Sequence, residues 1–121
     1  MHGLHLTADL HNCRCEREWL LDAGKLGAWC LNAVETMGLQ ARKQLFDSFS
    51  APATDDGITV TLLLAGSHVC IHAWPAGKTA TIDVFISGKH TALAQPLMQT
   101  LVDRFAPEWT EQRSLDRGDE S

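Results

Sequence analysis

Residues 62–74 read LLLAGSHVCIHAW, an apolar run that is interrupted by a glycine, a serine and two histidines. Around this stretch, Ile58–Ala65 is β-branched and aliphatic and predicts a strand, and Val69–Trp74 predicts a shorter one. Pro75–Lys78 predicts a turn, and Thr79–Ile86 predicts the next strand. These strands form the centre of the predicted sheet. A strand that only filled a core would not carry the polar residues found here, so the stretch also predicts chemistry.

The rest of the chain supplies further strands and two helices. Apolar residues at helical spacing predict a helix over Asp22–Met37, and Thr91–Phe105 predicts a second helix with Pro96 in its early turns. Further strands are predicted at Gly3–Leu10, Leu39–Phe49 and Glu108–Leu115, connections at Asn12–Glu18 and Ser50–Gly57, and a frayed tail at Asp116–Ser121. The fold class we expect is α+β, a two-layer sandwich with helices packed on one face of a mostly antiparallel sheet.

Composition limits the classes of function. The 121 residues predict a single domain, 1–121, with a modest core that oligomerisation would help to complete. The formal charge of −5 argues against a nucleic-acid binder, which would normally be basic. We see no apolar run long enough to span a bilayer and no signal peptide at the N-terminus, so we expect a cytoplasmic protein without a membrane partner.

The four cysteines are expected to be free thiols in a reducing compartment. His11, Cys13 and Cys15, with His2 or His5, are the candidates for a metal site. The C-x-C spacing lacks the second pair that makes a zinc signature specific, so we expect no metal.

The interruption itself places a nucleophile beside a glycine. Ser67 supplies an oxygen nucleophile, and His68 and His72 are candidate proton carriers because imidazole titrates near neutral pH. Ser67 could be the serine of a hydrolase, although the stretch is not G-x-S-x-G. Alternatively, Ser67 could attack the carbonyl of Gly66 in an intramolecular acyl shift, since the reacting atoms are tethered. The residues alone leave both readings open.

A resemblance to a known family favours the acyl shift. AGSHVCIHAWPAG (65–77) followed by ATIDVFISGKH (80–90) resembles the pattern A-E-S-H-x-x-I-H-T-W-P-E, then A-x-x-D-V-F-T-C-G, of the small prokaryotic S-adenosylmethionine decarboxylases. GLHLTADLHNC (3–13) is similar to that family's opening. Phe49 matches a phenylalanine that precedes the loop, and Thr59 stands eight positions before Ser67, where the family has a serine.

The resemblance implies a self-processing, pyruvoyl-dependent decarboxylase. It implies cleavage between Gly66 and Ser67 into a β chain, 1–66, and an α chain, 67–121, with Ser67 becoming the covalent pyruvoyl cofactor. His72 matches the histidine that assists processing, and Thr59 offers the matching hydroxyl. The pyruvoyl group forms a Schiff base with the substrate amine and withdraws electrons as carbon dioxide leaves. The family's usual assembly implies a homodimer of cleaved protomers.

Several positions depart from the family pattern and bear on the substrate. The glutamate before the cleaved serine is Gly66, and the glutamate after Trp-Pro, which the family places near the bound nucleoside, is Ala76. The family's proton-donating cysteine is Ser87, whose hydroxyl is a much weaker acid than a thiol. Cys70 and His72 are the alternative donors.

Three functions therefore stay open. The first is decarboxylation of S-adenosylmethionine for spermidine biosynthesis, with Phe49, Trp74 and His68 as substrate-binding residues, although core packing would also explain the two aromatics. The second is a substrate-switched homologue that decarboxylates L-ornithine or L-arginine, in which Asp83 would meet the basic side chain. The third is an uncleaved, non-catalytic homologue that pairs with an active partner.

Overall fold

The computed structural model describes residues 1–50 and 56–118. These residues form six strands and three α-helices, and a 3-10 helix at Gly88–Leu93 precedes the last α-helix. In chain order they are β1 (His2–Cys13), α1 (Glu18–Leu21), α2 (Ala23–Thr36), β2 (Ala41–Phe49), β3 (Gly57–Leu64), β4 (Ser67–Trp74), β5 (Thr79–Ser87), α3 (Ala94–Phe105) and β6 (Pro107–Gly118).

All strands belong to one sheet of order β2-β3-β4-β5-β1-β6, and every neighbouring pair is antiparallel. The three strands from β3 to β5 follow one another through tight turns and occupy its centre, as the sequence predicts. β1, the first strand of the chain, lies on the far side of β5, between β5 and β6. The predicted α+β fold with a mostly antiparallel sheet is confirmed.

One face of the sheet carries all the helices and the core. Alternate residues of the central strands are buried there, for example Val69, Ile71 and Ala73 of β4. α2 packs on β2 and β3, and α3 packs on β1 and β5. Gly27 lets α2 approach the sheet closely, because a Cβ at this position would lie 2.5 Å from the ring of Phe46.

The other face of the sheet carries no helix, and we call it the open face. Four of the six large apolar side chains that are exposed among the described residues belong to this face by strand alternation and register: Leu45, Leu63, Trp109 and Leu115. Leu45 and Leu63 lie on the neighbouring strands β2 and β3 at one edge of the sheet, and Trp109 and Leu115 lie on β6 at the other edge.

Some predicted boundaries are wrong. Asn12 and Cys13 belong to β1 rather than to a connection, and the remainder of that segment runs into the unpredicted helix α1. Residues 116–118 of the predicted frayed tail continue β6, because their backbone pairs with β1 as far as His2 opposite Gly118. The second helix begins at Ala94, after the 3-10 helix. Residues 51–55 and 119–121 lie outside the described residues.

Among those described residues, no helix has the length and apolarity that crossing a membrane requires.

Candidate active site

The turn between β3 and β4 holds the predicted cleavage point. Leu64 pairs with Ser67, so Ala65 and Gly66 alone make the turn, and Gly66 has a φ of +68° that favours glycine. The sequence predicts that Ser67 sits at a turn or bulge before the strand. The turn is present, but Ser67 is already the first residue of β4 and no bulge interrupts the pairing.

Ser87 holds the peptide between Gly66 and Ser67 through two hydrogen bonds. Its Oγ donates to the carbonyl oxygen of Gly66 at 2.7 Å, and its backbone N–H donates to Ser67 Oγ at 3.0 Å. A Cβ at Gly66 would lie 2.9 Å from Ser87 Oγ, so the glycine also allows the hydroxyl to approach. The nucleophile is thereby oriented and the carbonyl beside it is polarised.

A cavity of about 250 Å³ opens beside this turn. Its lining includes Ala65, Ser67 and Ser87. It also includes the cationic residue Arg42 and the titratable residue His90. The sequence does not predict the last two, because their place depends on a register shift in β2 and on the 3-10 helix. The remaining lining residues are Gly38, Leu39, Gln40 and Leu64.

His72 lies further along β4 and is engaged on both ring nitrogens. Its Nδ1 is 2.8 Å from Thr59 Oγ1 on β3, and its Nε2 is 3.6 Å from Cys70 Sγ. Thr61 Oγ1 lies 3.5 Å from the same sulfur. Thr59 and His72 are directly opposed in the register, so the sheet brings the two predicted processing residues together.

The two predicted aromatic residues lie at the same end of the open face as His72. A Cβ at Gly57 would lie 2.5 Å from the ring of Phe49, so this ring covers the glycine. The register places Gly57 between Phe49 and Trp74, and the ring centroids of Trp74 and His72 are 6.1 Å apart. Both aromatics are half-buried and neither belongs to the core.

His68 lies on the open face at the Ser67 end of β4. Its ring is 5.8 Å from that of Phe85 and 6.3 Å from that of His5, measured between centroids. The Nε2 atom of His5 is buried without a hydrogen-bond partner, a second polar group at this end. Asp83, opposite Cys70 in the register, occupies the middle of the same face.

The predicted residues therefore form two groups at opposite ends of β4. Ser67 and His72 are five positions apart on an extended strand, a distance of about 16 Å, and alternation directs their side chains to opposite faces. Ser67 has the parity of the core-facing residues, whereas His72 has that of the open face. Within one chain, His72 and Thr59 cannot contact the serine.

The cysteines among the described residues are free thiols, and Cys13 and Cys30 are buried away from solvent. Burial raises the pKa of the Cys30 thiol to about 12, and burial together with the charge of Cys15 raises that of Cys13 to about 12. No group of three or more His, Cys, Asp or Glu within 1–50 and 56–118 could hold a metal ion. His11 instead stacks on Trp109, with ring centroids 3.8 Å apart.

These raised pKa values predict slow alkylation of Cys13 and Cys30 in the native protein. At mildly alkaline pH we expect iodoacetamide to leave both unmodified, because the thiolate is the reactive form. Because the folded pKa of each thiol exceeds the ordinary value of 9.0, the contribution of these two thiols to the free energy of unfolding should be fully present below pH 9.0 and be lost as the pH rises towards about 12. Peptide mass mapping, with denatured protein as the control, checks the labelling, and rapid native labelling of Cys30 would contradict it.

Comparison with known proteins places this geometry in a family. The family model described as S-adenosylmethionine decarboxylase matches residues 4–118. The S-adenosylmethionine decarboxylase proenzyme of Hydrogenobaculum sp. (strain Y04AAS1) is 33% identical over 117 residues, which cover 96% of this chain and 81% of that protein. The arginine decarboxylase proenzyme of Aeropyrum pernix is 30% identical over 89 residues, which cover 74% of this chain and 64% of that protein.

A solved structure shares the whole architecture. The crystal structure of the adenosylmethionine decarboxylase from Aquifex aeolicus VF5 superposes with a TM-score of 0.82 at 26% identity, covering 98% of this chain and 92% of that one. The chain belongs to the S-adenosylmethionine decarboxylase family, whose members are proenzymes of pyruvoyl-dependent decarboxylases.

Proposed function

We propose that this chain cleaves itself between Gly66 and Ser67 and that the cleaved protein, as a homodimer, decarboxylates S-adenosylmethionine. The observation that carries the proposal is the pair of hydrogen bonds from Ser87. They hold the hydroxyl of Ser67 and the carbonyl of Gly66 in one small turn beside a cavity. Tethering the reacting atoms in this way removes much of the entropic barrier to attack.

Ser87 assists the acyl shift at the carbonyl oxygen. When Ser67 Oγ adds to the carbonyl carbon of Gly66, negative charge develops on the oxygen that already accepts a hydrogen bond from Ser87 Oγ. A donor placed before the reaction at such an oxygen stabilises the transition state. The family's thiol at this position is replaced here by a hydroxyl that suits this task.

The pyruvoyl group fits the start of β4, because the backbone N–H of Ser87 already donates to the oxygen of Ser67, the residue from which the group would form. Once formed, the group supplies an electron sink to which the substrate amine attaches while carbon dioxide leaves. The backbone N–H of Ser87 is the group of this chain that would orient that end of the strand, and His68, the next residue, lies on the open face beside it.

The exposed apolar residues support a dimer formed through the open face. Leu45, Leu63, Trp109 and Leu115 lie on this face without a helix to cover them. A two-fold axis between two stacked open faces, above the middle of β4 and perpendicular to the direction of this strand, would pair the open faces of two copies and bury these side chains. Such an isologous contact also places the Ser67 end of one copy over the His72 end of the other.

This packing gives His72 and Thr59 a role that they cannot have within one chain. Because Ser67 Oγ lies on the core side of its own sheet, we assign them to the α-proton of Ser67 in the second copy, which lies on the other side of Cα and so towards the open face. Thr59 Oγ1 fixes the ring of His72 through Nδ1, which leaves Nε2 and the neighbouring Cys70 thiol for proton transfer. Cleavage is then a property of the dimer and not of the isolated chain.

Phe49 and Trp74 support S-adenosylmethionine as the substrate. Both aromatic rings lie on the open face beside His72. In the proposed dimer they face the pyruvoyl end of the partner, where they can stack on an adenine or face a sulfonium cation. A methylthioadenosine analogue should therefore compete with the substrate.

A basic amino acid is the second candidate substrate. Two relatives, from Aeropyrum pernix and Pyrobaculum arsenaticum, bear the name arginine decarboxylase proenzyme. Asp83 lies in the middle of the open face, where its carboxylate could receive the side chain of arginine or ornithine. Ala76 removes the acidic residue that the resemblance associates with a nucleoside.

An intact mass spectrum of freshly purified protein tests the proposal. We expect two chains, one ending at Gly66 and one beginning with a pyruvoyl-blocked residue 67. Release of labelled carbon dioxide from S-adenosylmethionine, L-arginine and L-ornithine in parallel then identifies the substrate. Addition of a methylthioadenosine analogue is the matched control, because it should inhibit only the reaction with S-adenosylmethionine.

The outcomes separate the candidates. If carbon dioxide is released from arginine or ornithine and the analogue does not inhibit this release, the substrate is the basic amino acid and not S-adenosylmethionine. A single chain of 13.3 kDa would contradict self-processing and favour the uncleaved homologue that pairs with an active partner.

A further inference from the structure

Arg42 stands in a β-bulge beside the cleavage turn. Ala41 pairs with Leu64 and Lys43 pairs with Leu63, so Arg42 is the extra residue of β2. Bulges often redirect a side chain next to an active site. The side chain of Arg42 lines the same cavity as Ser67 and Ser87.

The guanidinium of Arg42 has no anionic partner among the described residues. None of the described residues that line the cavity is acidic, and His90 adds a second group that can carry positive charge. The chain as a whole has a formal charge of −5, whereas this cavity has basic and no acidic lining residues among those described. An anion of carboxylate size is the ligand that such a cavity favours.

Self-cleavage creates a carboxylate at this place. The acyl shift gives an ester between Ser67 Oγ and the Gly66 carbonyl, while the Ser67 nitrogen becomes an amine. Loss of the Ser67 α-proton to a base then forms the Cα–Cβ double bond, and the Cβ–O bond breaks with its electron pair. Gly66 leaves as a carboxylate, and water hydrolyses the remaining enamine, through its imine form, to the pyruvoyl ketone and ammonia.

We propose that Arg42 binds the carboxylate that cleavage creates at Gly66, accelerates its departure from the ester, and retains the new chain end in the cavity. The inference rests on the proposed self-cleavage. Gly66 lies between Ala65 and Ser67, which both line the cavity. The carboxylate of Gly66 therefore forms next to the cavity that Arg42 also lines. The unpaired guanidinium gains its counter-ion only when the chain is cut.

Arg42→Gln tests the proposal, with Lys43→Gln as the matched control. Lys43 is the next residue of β2, is also exposed and does not line the cavity. Both variants lose one positive charge. Because Arg42 is exposed, we expect Arg42→Gln to slow the appearance of the two chains about tenfold, and Lys43→Gln to leave the rate unchanged.

The intermediate that accumulates identifies the step. If Arg42 assists departure of the carboxylate, Arg42→Gln should accumulate the ester, and hydroxylamine should release chain 1–66 as a hydroxamate. Arg42→Lys, or added guanidinium ion with Arg42→Ala, should restore part of the rate. Equal rates for the two glutamine variants, or slow cleavage without a hydroxylamine-sensitive species, would overturn the role of Arg42 while self-cleavage stands. An uncleaved wild-type chain would overturn both.

Discussion

Replacing Ser67 with alanine is expected to leave the chain intact at 13.3 kDa and to abolish decarboxylation. The methyl group can neither attack the carbonyl of Gly66 nor become a pyruvoyl group. The fold should persist, because Ser67 Oγ only accepts one hydrogen bond, from the backbone of Ser87. Losing that partner costs about 1 kcal/mol of the free energy of unfolding.

Intact mass and thermal unfolding together check this prediction. Ser48→Ala is the matched control, since Ser48 is an exposed serine on β2, away from the turn. It should be cleaved like the wild type. Two chains in Ser67→Ala, cut at the same bond, would show that another nucleophile performs the reaction.

Mixing two inactive variants is expected to restore cleavage. His72→Ala alone should be processed slowly, and Ser67→Ala not at all. In a mixed dimer, the intact Ser67 of the His72→Ala chain lies opposite the intact His72 of the other chain. With random pairing at equal amounts, about half of the His72→Ala chains should be cleaved at the wild-type rate.

The mass of the fragments shows which chain was cut, because residue 72 lies in fragment 67–121. Co-expression of His72→Ala with the double variant Ser67→Ala/His72→Ala is the control and should give no rescue. If the first mixture behaves like His72→Ala alone, His72 acts within its own chain or not at all. In that case the packing of open faces proposed above is wrong.

The sequence predicts the central strands and the residue types of the site well. Val69–Trp74 and Thr79–Ile86 lie within β4 and β5, and the glycine at residue 66 makes the turn that its type indicates. Local pattern suffices here because alternation and turn chemistry act over a few residues.

The local sequence pattern does not predict contacts between residues that are far apart in the chain. Ser87 reaches Gly66 and Ser67 across some twenty positions, through the register of β4 and β5. The separation of Ser67 from His72, in contrast, follows from the alternation of side chains along a regular strand and can be predicted from the sequence. The bulge at Arg42 depends on how β2 pairs with β3, a tertiary preference with no local signal.

The strand order has a consequence for the life of the cut protein. Fragment 1–66 supplies β1, β2 and β3, fragment 67–121 supplies β4, β5 and β6, and β1 lies between β5 and β6. The fragments are interleaved, so they cannot part without breaking the sheet on both sides of β1. The proposed maturation is therefore one-way: the protein has to fold as a single chain, and after unfolding the two pieces of a cleaved molecule would have to find each other by diffusion.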